Sequence, residues 1–341
     1  MTFENLGKKP FVVAEIGHNH QGNFDQALEL IKEAKNCGVD AVKFQKRDNK
    51  ALYTKAFYNS VYDHENSFGE VYGTHREFLE FDFEQYKDLK AFSDEIKIGF
   101  FATPFDKPSV DLLAKLELPA YKIASADLTN TPLQKEIAKL NKPVFLSTGG
   151  GSLDDVKRAV DNISKINDKL IVMHCTASYP ASIKDMNLSV ISVFKKEFKK
   201  FGIGLSDHEN GIDAGPIAYM LGARYFEKHF TLNRSNKGTD HSFSLEPQGL
   251  SRFVRNIRRI KDMMGSENKK LLKSEEKPLF KMKKSIVIKK DLKAGHLLKY
   301  EDLSFKSPGG GLEPYMYEKL VGKKLLKDHK TDELILFENI K

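Results

Sequence analysis

Residues 11–45 read FVVAEIGHNHQGNFDQALELIKEAKNCGVDAVKFQ, and the fold turns on how that stretch divides. FVVAEIG (11–17) and AVKFQ (41–45) are short apolar runs of the kind that form strands buried on both faces. Between them, FDQALELIKEAKNCG carries apolar residues at intervals of three and four, as an amphipathic helix does, with Gly38 placed to cap its end. The alternation continues through GFFATPF (99–105), YKIAS (121–125), PVFLST (143–148), LIVMHCT (170–176), GIGLS (202–206) and RYFEKHF (224–230). Eight strands alternating with helices predict an α/β fold, a (β/α)8 TIM barrel. A doubly wound sheet is the runner-up, and the count of eight favours the barrel.

Inside the opening stretch, His18 and His20 have the spacing of a metal-binding pair. If the strand ran on through them, both imidazoles would face one side. The pair therefore raises the question of a metal here, elsewhere, or nowhere.

Composition narrows the classes. The chain has 341 residues, enough for one large domain and a small one. It is 40% hydrophobic, with no apolar run near the roughly 18 residues that a membrane span needs. MTFENLGKKP lacks the hydrophobic region of a signal peptide, and Cys37 and Cys175 do not suggest a disulfide framework. A soluble, cytoplasmic protein is expected. The net charge of +8 is concentrated after residue 268. It reads as a solvated basic face or an attraction for an acidic substrate. No aromatic-interleaved basic motif points to nucleic acid.

Three domain-level segments follow. Residues 1–264 form the barrel, 265–282 a polar, lysine-rich linker, and 283–341 a small unit of short strands broken by Gly and Pro. Residues 46–82 are too long for an ordinary connection, and their Tyr, Phe, His and Arg content predicts an ordered lid.

Barrels of this type gather chemistry at the carboxyl ends of the strands. Polar residues stand there along the chain: Glu15, Lys43, Gln45, Thr103, Lys122, Ser125, Ser147, Tyr179, Ser206, His208, Glu227 and His229. A lysine inside an apolar strand is costly to bury without a partner. Lys43 and Lys122 facing one mouth, with hydroxyls beside them, suit a guest carrying phosphate and carboxylate. Lys122 could instead form a Schiff base, since desolvation lowers a lysine pKa. His208 and His229 end neighbouring strands, and two imidazoles there suit Mn²⁺, Co²⁺ or Zn²⁺.

AEIGHNHQG, AVKFQK, FATPFD, YKIASAD, LSTGG, HCTASYP, GLSDH, FEKHFT and KGTDHSFSLEP occur in the order found in the sialic acid synthase family. SIVIKKDLKAGHLL, SPGGG and LVGKK resemble that family's C-terminal SAF (antifreeze-like) domain, which is small and β-rich. The resemblance spans nearly the whole chain and is closest to the branch that includes N-acylneuraminate-9-phosphate synthases. It implies condensation of phosphoenolpyruvate (PEP) with an N-acylated hexosamine, such as N-acetylmannosamine or its 6-phosphate, to a nine-carbon 2-keto acid and phosphate.

Lys43, Thr103, Lys122, Ser125, Ser147 and Ser206 then match the PEP cradle, with Lys43 and Lys122 also catalytic. Glu15 matches the acid/base carboxylate. Gln45, Tyr179 and Asp240 match sugar-binding positions. His208 and His229 match ligands of a divalent metal, Mn²⁺ foremost with Mg²⁺ or Co²⁺ as alternatives, and Glu227 lies nearby through water. The family motif E-I-G-x-N-H leaves His18 at an unspecified position, so His20 becomes a loop-ordering or substrate-side residue. The family's homodimer swaps each SAF domain over the partner's barrel, and a like assembly is expected.

Two departures stand out. Ala177 replaces an Asn common before Tyr-Pro, and Ser307 stands where bacterial members carry an acyl-reading Arg. Lys281, Lys283 and Lys284 are candidates to meet a phosphorylated sugar. Three rival readings stay open: a Schiff-base aldolase on Lys122, a hydrolase with metal on His18 and His20, and a non-catalytic carbohydrate- or ice-binding protein.

Overall fold

The structure, a computed structural model, describes residues 9–341, so residues 1–8, part of the stretch read for a missing leader, lie outside the described residues. It divides into two compact units, one ending at Met264 and one covering Gly265–Lys341.

In the first unit, eight parallel strands close into a barrel in chain order. They are β1 (Phe11–Gly17), β2 (Ala41–Lys46), β3 (Gly99–Pro104), β4 (Tyr121–Ile123), β5 (Val144–Ser147), β6 (Leu170–Cys175), β7 (Gly202–Asp207) and β8 (Tyr225–His229). Closure is direct: β1 pairs with β8 from Phe11 opposite Tyr225 to Glu15 opposite His229. That rules out the doubly wound sheet, whose edges stay open.

The helix Phe24–Asn36 shows how the sequence builds the outer layer. Asn23 caps it by accepting from the Gln26 N–H at 3.0 Å, and Ala27, Leu30, Ile31 and Ala34 form its buried face. Beyond it, Gly38 takes φ +84°, where any other residue would be strained.

Along each strand, alternate side chains enter the barrel. Phe11, Val13, Ala41, Phe101, Phe145, Met173 and Tyr225 belong to a buried apolar cluster distinct from the strand–helix layer. This cluster plugs the barrel. The next residues inward along the same strands are Glu15, Lys43, Thr103, Ser147, Cys175 and Glu227, so a polar layer rests on an apolar floor.

Two elements differ from their sequence reading. β4 ends at Ile123, and Ser125 instead opens a 3-10 turn, Ser125–Asp127. There its Oγ accepts from the Gly149 N–H at 3.0 Å. Residues 46–82 are ordered, with helices Asn49–Leu52, Lys55–Tyr58 and Tyr72–Phe78 and a bridge between Val61 and Val71. Rings of Tyr53, Phe57, Tyr62 and Tyr72 pack together within it.

The second unit pairs Ser285–Ile288 (β9) antiparallel with Leu303–Lys306 (β10) over a core that includes Ile286, Ile288, Leu298, Leu303, Leu320, Leu325 and Ile335. Within residues 265–282, read as linker, a helix forms over Lys273–Met282, with Glu275 accepting from the Leu272 N–H at 2.8 Å. None of its residues is buried, so no apolar periodicity marks it in the sequence.

Between the inward residues Glu227 and His229, Lys228 points to the outer layer, where its Nζ lies 2.7 Å from Asp207 Oδ2, both side chains fully buried. Removing one partner of such a pair leaves an uncompensated charge. Lys228→Met is expected to cost about 3–5 kcal/mol in urea unfolding of the full chain; a loss under about 1 kcal/mol would show that the pair does not hold β7 to β8.

Candidate active site

Strand register brings four charged side chains from β1, β2, β4 and β8 into one place. Lys43 Nζ lies 2.7 Å from Glu15 Oε2 and 3.7 Å from Glu227 Oε1, and donates to Thr103 Oγ1 at 2.9 Å. Lys122 Nζ donates to Glu227 Oε1 at 3.3 Å, and Ser206 Oγ donates to the same oxygen at 3.2 Å. Glu15, Lys43, Lys122 and Glu227 are 1%, 2%, 3% and 4% exposed, so each charge depends on the others rather than on water.

The two carboxyl groups are driven apart. Burial raises the Glu15 pKa, opposed by Lys43 and reinforced by Glu227. Burial also acts to raise Glu227, but Lys122, Lys43 and His229 outweigh it and push Glu227 down to about 2. Glu15 is thus the carboxyl poised to exchange a proton, and Glu227 is fixed as an anion. Burial lowers the Lys122 pKa, with Glu227 opposing.

Above this layer, Gln45 Nε2 donates to Glu15 Oε1 at 2.6 Å. His208 donates from Nδ1 to the Thr176 carbonyl at 2.8 Å, which assigns a proton there; burial acts to lower its pKa, but Cys175 and the Thr176 carbonyl outweigh it and raise it. Its ring lies 5.2 Å from that of His229, and Tyr179 packs over it at 4.2 Å. Burial pushes His229 down to about 3 against the opposing Asp240, whose Oδ2 is 3.7 Å from His229 Nδ1. His229 is therefore neutral near pH 7.

All these groups line one cavity of about 910 Å³, together with Ser125, Ser147 and the Gly149–Gly151 turn. Among the described residues, the buried Ser147 Oγ, Glu227 Oε2 and His229 Nδ1 have no hydrogen-bond partner. Gly149 is needed where it stands, because a Cβ there would lie 2.8 Å from both Ser125 Oγ and Ala177 Cβ.

His18 and His20 do not converge. The strand ends at Gly17, where φ turns to +55°, so neither lies on it. His20 is stacked between Phe81 at 4.2 Å and Phe44 at 5.7 Å, and accepts from the Gly22 N–H. His18 faces Arg47 and Arg76 instead. The hydrolase reading loses its ligands. In the second unit, Lys283 is ion-paired with Glu313, and Lys284 donates to Ser307 Oγ at 2.7 Å, so both are engaged locally.

The sequence reading passed over Arg47 and Arg76, which also line the cavity. The only signal for Arg47 was a second cation directly after the strand-end Lys46. Nothing marked Arg76 among the charged residues of the lid.

A model of the NeuB family matches residues 30–269, and one of the SAF domain matches residues 283–341. The chain is 38% identical over 98% of its length to N-acetylneuraminate-9-phosphate synthase of Mus musculus, of which 94% is covered. It is 39% identical over 96% of its length to N,N'-diacetyllegionaminic acid synthase of Campylobacter jejuni, of which 99% is covered. A crystal structure of N-acetylneuraminic acid (sialic acid) synthetase from Leptospira borgpetersenii serovar Hardjo-bovis, in complex with citrate, superposes with a TM-score of 0.69 at 32% identity. That likeness covers 82% of this chain and 94% of the other. Fold and site define a PEP-condensing transferase of the sialic acid synthase type. The chain belongs to the NeuB family, with a C-terminal SAF domain.

Burial gives Lys122 the lowered pKa that the aldolase reading needs, and the ion pair with the ionised Glu227 opposes it by favouring the ammonium form. Borohydride added with pyruvate or PEP is expected to leave Lys122 unmodified by peptide mass, and a reduced adduct on Lys122 would contradict this.

Proposed function

We propose that the protein condenses PEP with an N-acylated hexosamine to give a nine-carbon 2-keto acid and inorganic phosphate. The buried set Glu15, Lys43, Lys122 and Glu227 carries this reading. Two ammonium groups open to one cavity, with the hydroxyls of Thr103, Ser125, Ser147 and Ser206 around them, suit the carboxylate and phosphate of PEP. Gln45, Tyr179 and Asp240 hold the sugar above it.

His208 and His229 are proposed to hold a divalent cation, Mn²⁺ foremost, with Mg²⁺ or Co²⁺ as alternatives. The residues fit: one imidazole is oriented by the Thr176 carbonyl, and the other is neutral with a buried Nδ1 lacking a partner. Among the described residues no three His, Cys, Asp or Glu side chains converge on one point, so two histidines make an open shell that water and substrate oxygens complete. When bound, such an ion supplies Lewis-acid polarisation of the sugar's aldehyde.

Carbon 3 of PEP forms the new bond to the aldehyde carbon, and water adds at carbon 2. The resulting tetrahedral carbon expels phosphate by C–O cleavage. Glu15 accepts one proton of the water, matching the proton that the former aldehyde oxygen takes up, and the proton of the carbon-2 hydroxyl leaves with the phosphate as the ketone forms. Lys43 and Lys122 bind the departing phosphate, while Glu227 stays ionised and keeps Lys122 aimed into the cavity. The same reading extends to a homodimer in which each SAF domain faces the partner's barrel, and light scattering at twice the chain mass checks it. No helix among the described residues is long and apolar enough to cross a membrane.

Phosphate release from PEP with Mn²⁺ tests the reading, with N-acetylmannosamine, its 6-phosphate and 2,4-diacetamido-6-deoxyhexoses offered in parallel. Turnover with one of them is expected, abolished by EDTA; His208→Ala and His229→Ala should lose bound Mn²⁺, and His20→Ala should keep it. No release with any sugar from the metal-loaded protein would overturn it.

A general base must be ionised to act, and the Glu15 pKa is raised. The acid limb of kcat/KM is therefore expected above the ordinary carboxylate value of 4.5, not near the Glu227 value of about 2. Glu15→Gln should lower kcat by about 10²–10⁴-fold and remove that limb; a limb that survives assigns it to another group.

A further inference from the structure

Arg47 has no part in the reaction just described, yet it is built firmly into the cavity wall. It is 6% exposed, with its guanidinium 3.7 Å above the Phe105 ring. Nη2 donates to Gln45 Oε1 at 2.7 Å. At the other edge Nη1 lies 3.0 Å from His18 Nε2, and that nitrogen is 3.5 Å from Glu80 Oε1. The fork is thus held from three sides before any substrate arrives.

A guanidinium has donors and no acceptor, so only the oxygen of the Gln45 carboxamide can face it. The amide nitrogen must then point the other way, and there Nε2 donates to Glu15 Oε1 at 2.6 Å. Lys43 Nζ lies 2.7 Å from the second oxygen of that carboxylate, Oε2. Lys43, Gln45 and Arg47 are alternate residues along β2 and its exit. One face of the strand therefore fixes both oxygens of Glu15, together with the amide that holds one of them. Gly17 leaves room for the contact, since a Cβ there would lie 3.2 Å from both Gln45 Nε2 and Glu15 Oε1. Without Arg47 nothing distinguishes the two ends of the amide by shape, and it is free to turn over about its last torsion. Its oxygen would then oppose an oxygen of the ionised Glu15, acceptor against acceptor, and the carboxylate would be pushed from its place.

We propose that Arg47 is a positioning residue for the general base: by holding the Gln45 oxygen it turns the amide nitrogen onto Glu15 and sets the direction in which that carboxylate meets water. This rests on the condensation proposed above and on the role of Glu15 in it. Arg47 acts through the amide and not through its charge, so its effect exists only while Gln45 is present. One N–H of Gln45 goes to Glu15 and the second stays open for a sugar oxygen, so the same residue can serve both partners.

The test is a double-mutant cycle on the full-length protein with Arg47→Met, Gln45→Met and the two combined, read as kcat at saturating PEP and sugar. Arg47→Met is expected to lower kcat by roughly 10- to 100-fold while the KM for PEP changes less than about threefold, because PEP rests on Lys43 and Lys122. In the Gln45→Met background the same substitution should change kcat less than about twofold, since the amide it acts through is gone. An equal loss in both backgrounds, as a packing role or the bare charge of Arg47 would give, overturns the proposal. So does a rise in the KM for PEP with kcat intact. Glu15→Gln separates this inference from the reading beneath it. An unchanged kcat there removes the base itself, whereas a loss there with none in Arg47→Met overturns the positioning role alone. Should thermal unfolding show that Arg47→Met does not fold, Gln45→Met reads the contact by itself: a loss of roughly tenfold or more in kcat at saturating sugar supports it, and an unaltered kcat refutes it.

Discussion

Two lysines and two glutamates share one buried pocket at the carboxyl ends of the strands. A lone buried ammonium or carboxylate would cost several kcal/mol, and each of the four is tolerable only because the others are present. They come from β1, β2, β4 and β8, so the set assembles only when the barrel closes and the first strand meets the last. Closure and charge balance are therefore one constraint. On the proposed reading an arriving dianion shares Lys43 and Lys122, which leaves Glu15 to handle protons while Glu227 stays ionised. Glu15 and Glu227 face that change differently, because one has its pKa raised and the other lowered.

The rest of the structure keeps this pocket buried and aimed. Beneath it, the plug of Phe11, Phe101, Phe145 and Tyr225 denies water a route through the barrel. Outside it, the Lys228–Asp207 pair links β7 to β8, the strands that carry His208 and His229 toward one another. Above it, the segment 46–82 brings Arg47, His64, Glu65, Asn66 and Arg76 to the cavity wall.

Much of this was legible in the sequence for a simple reason. Strands buried on both faces are continuous apolar runs, so AVKFQ and YKIAS announce both a strand and the anomaly within it. A lysine in such a run must meet a partner or a ligand, and Lys43 and Lys122 meet Glu15 and Glu227. What stayed hidden depends on contacts between distant residues. The bond from Lys122 to Glu227 spans 105 positions, and no local pattern reveals it. Ser125 looked like a strand residue because its turn is set by the Gly149 N–H on the next strand's loop. His18 and His20 carried metal spacing, but a positive φ at Gly17 ends the strand before them. Arg47 and Arg76 read as ordinary lid charges, since only the fold shows them at the wall of the cavity.

The measurement that bears most directly on this account is a crystal structure of the protein with PEP and Mn²⁺. The account predicts the carboxylate and phosphate of PEP on Lys43, Lys122 and Ser147, with Lys43 drawn off Glu15 and Lys122 still paired with Glu227, and the metal on His208 and His229. PEP lying away from both lysines, or a metal held at His18 and His20, would contradict it.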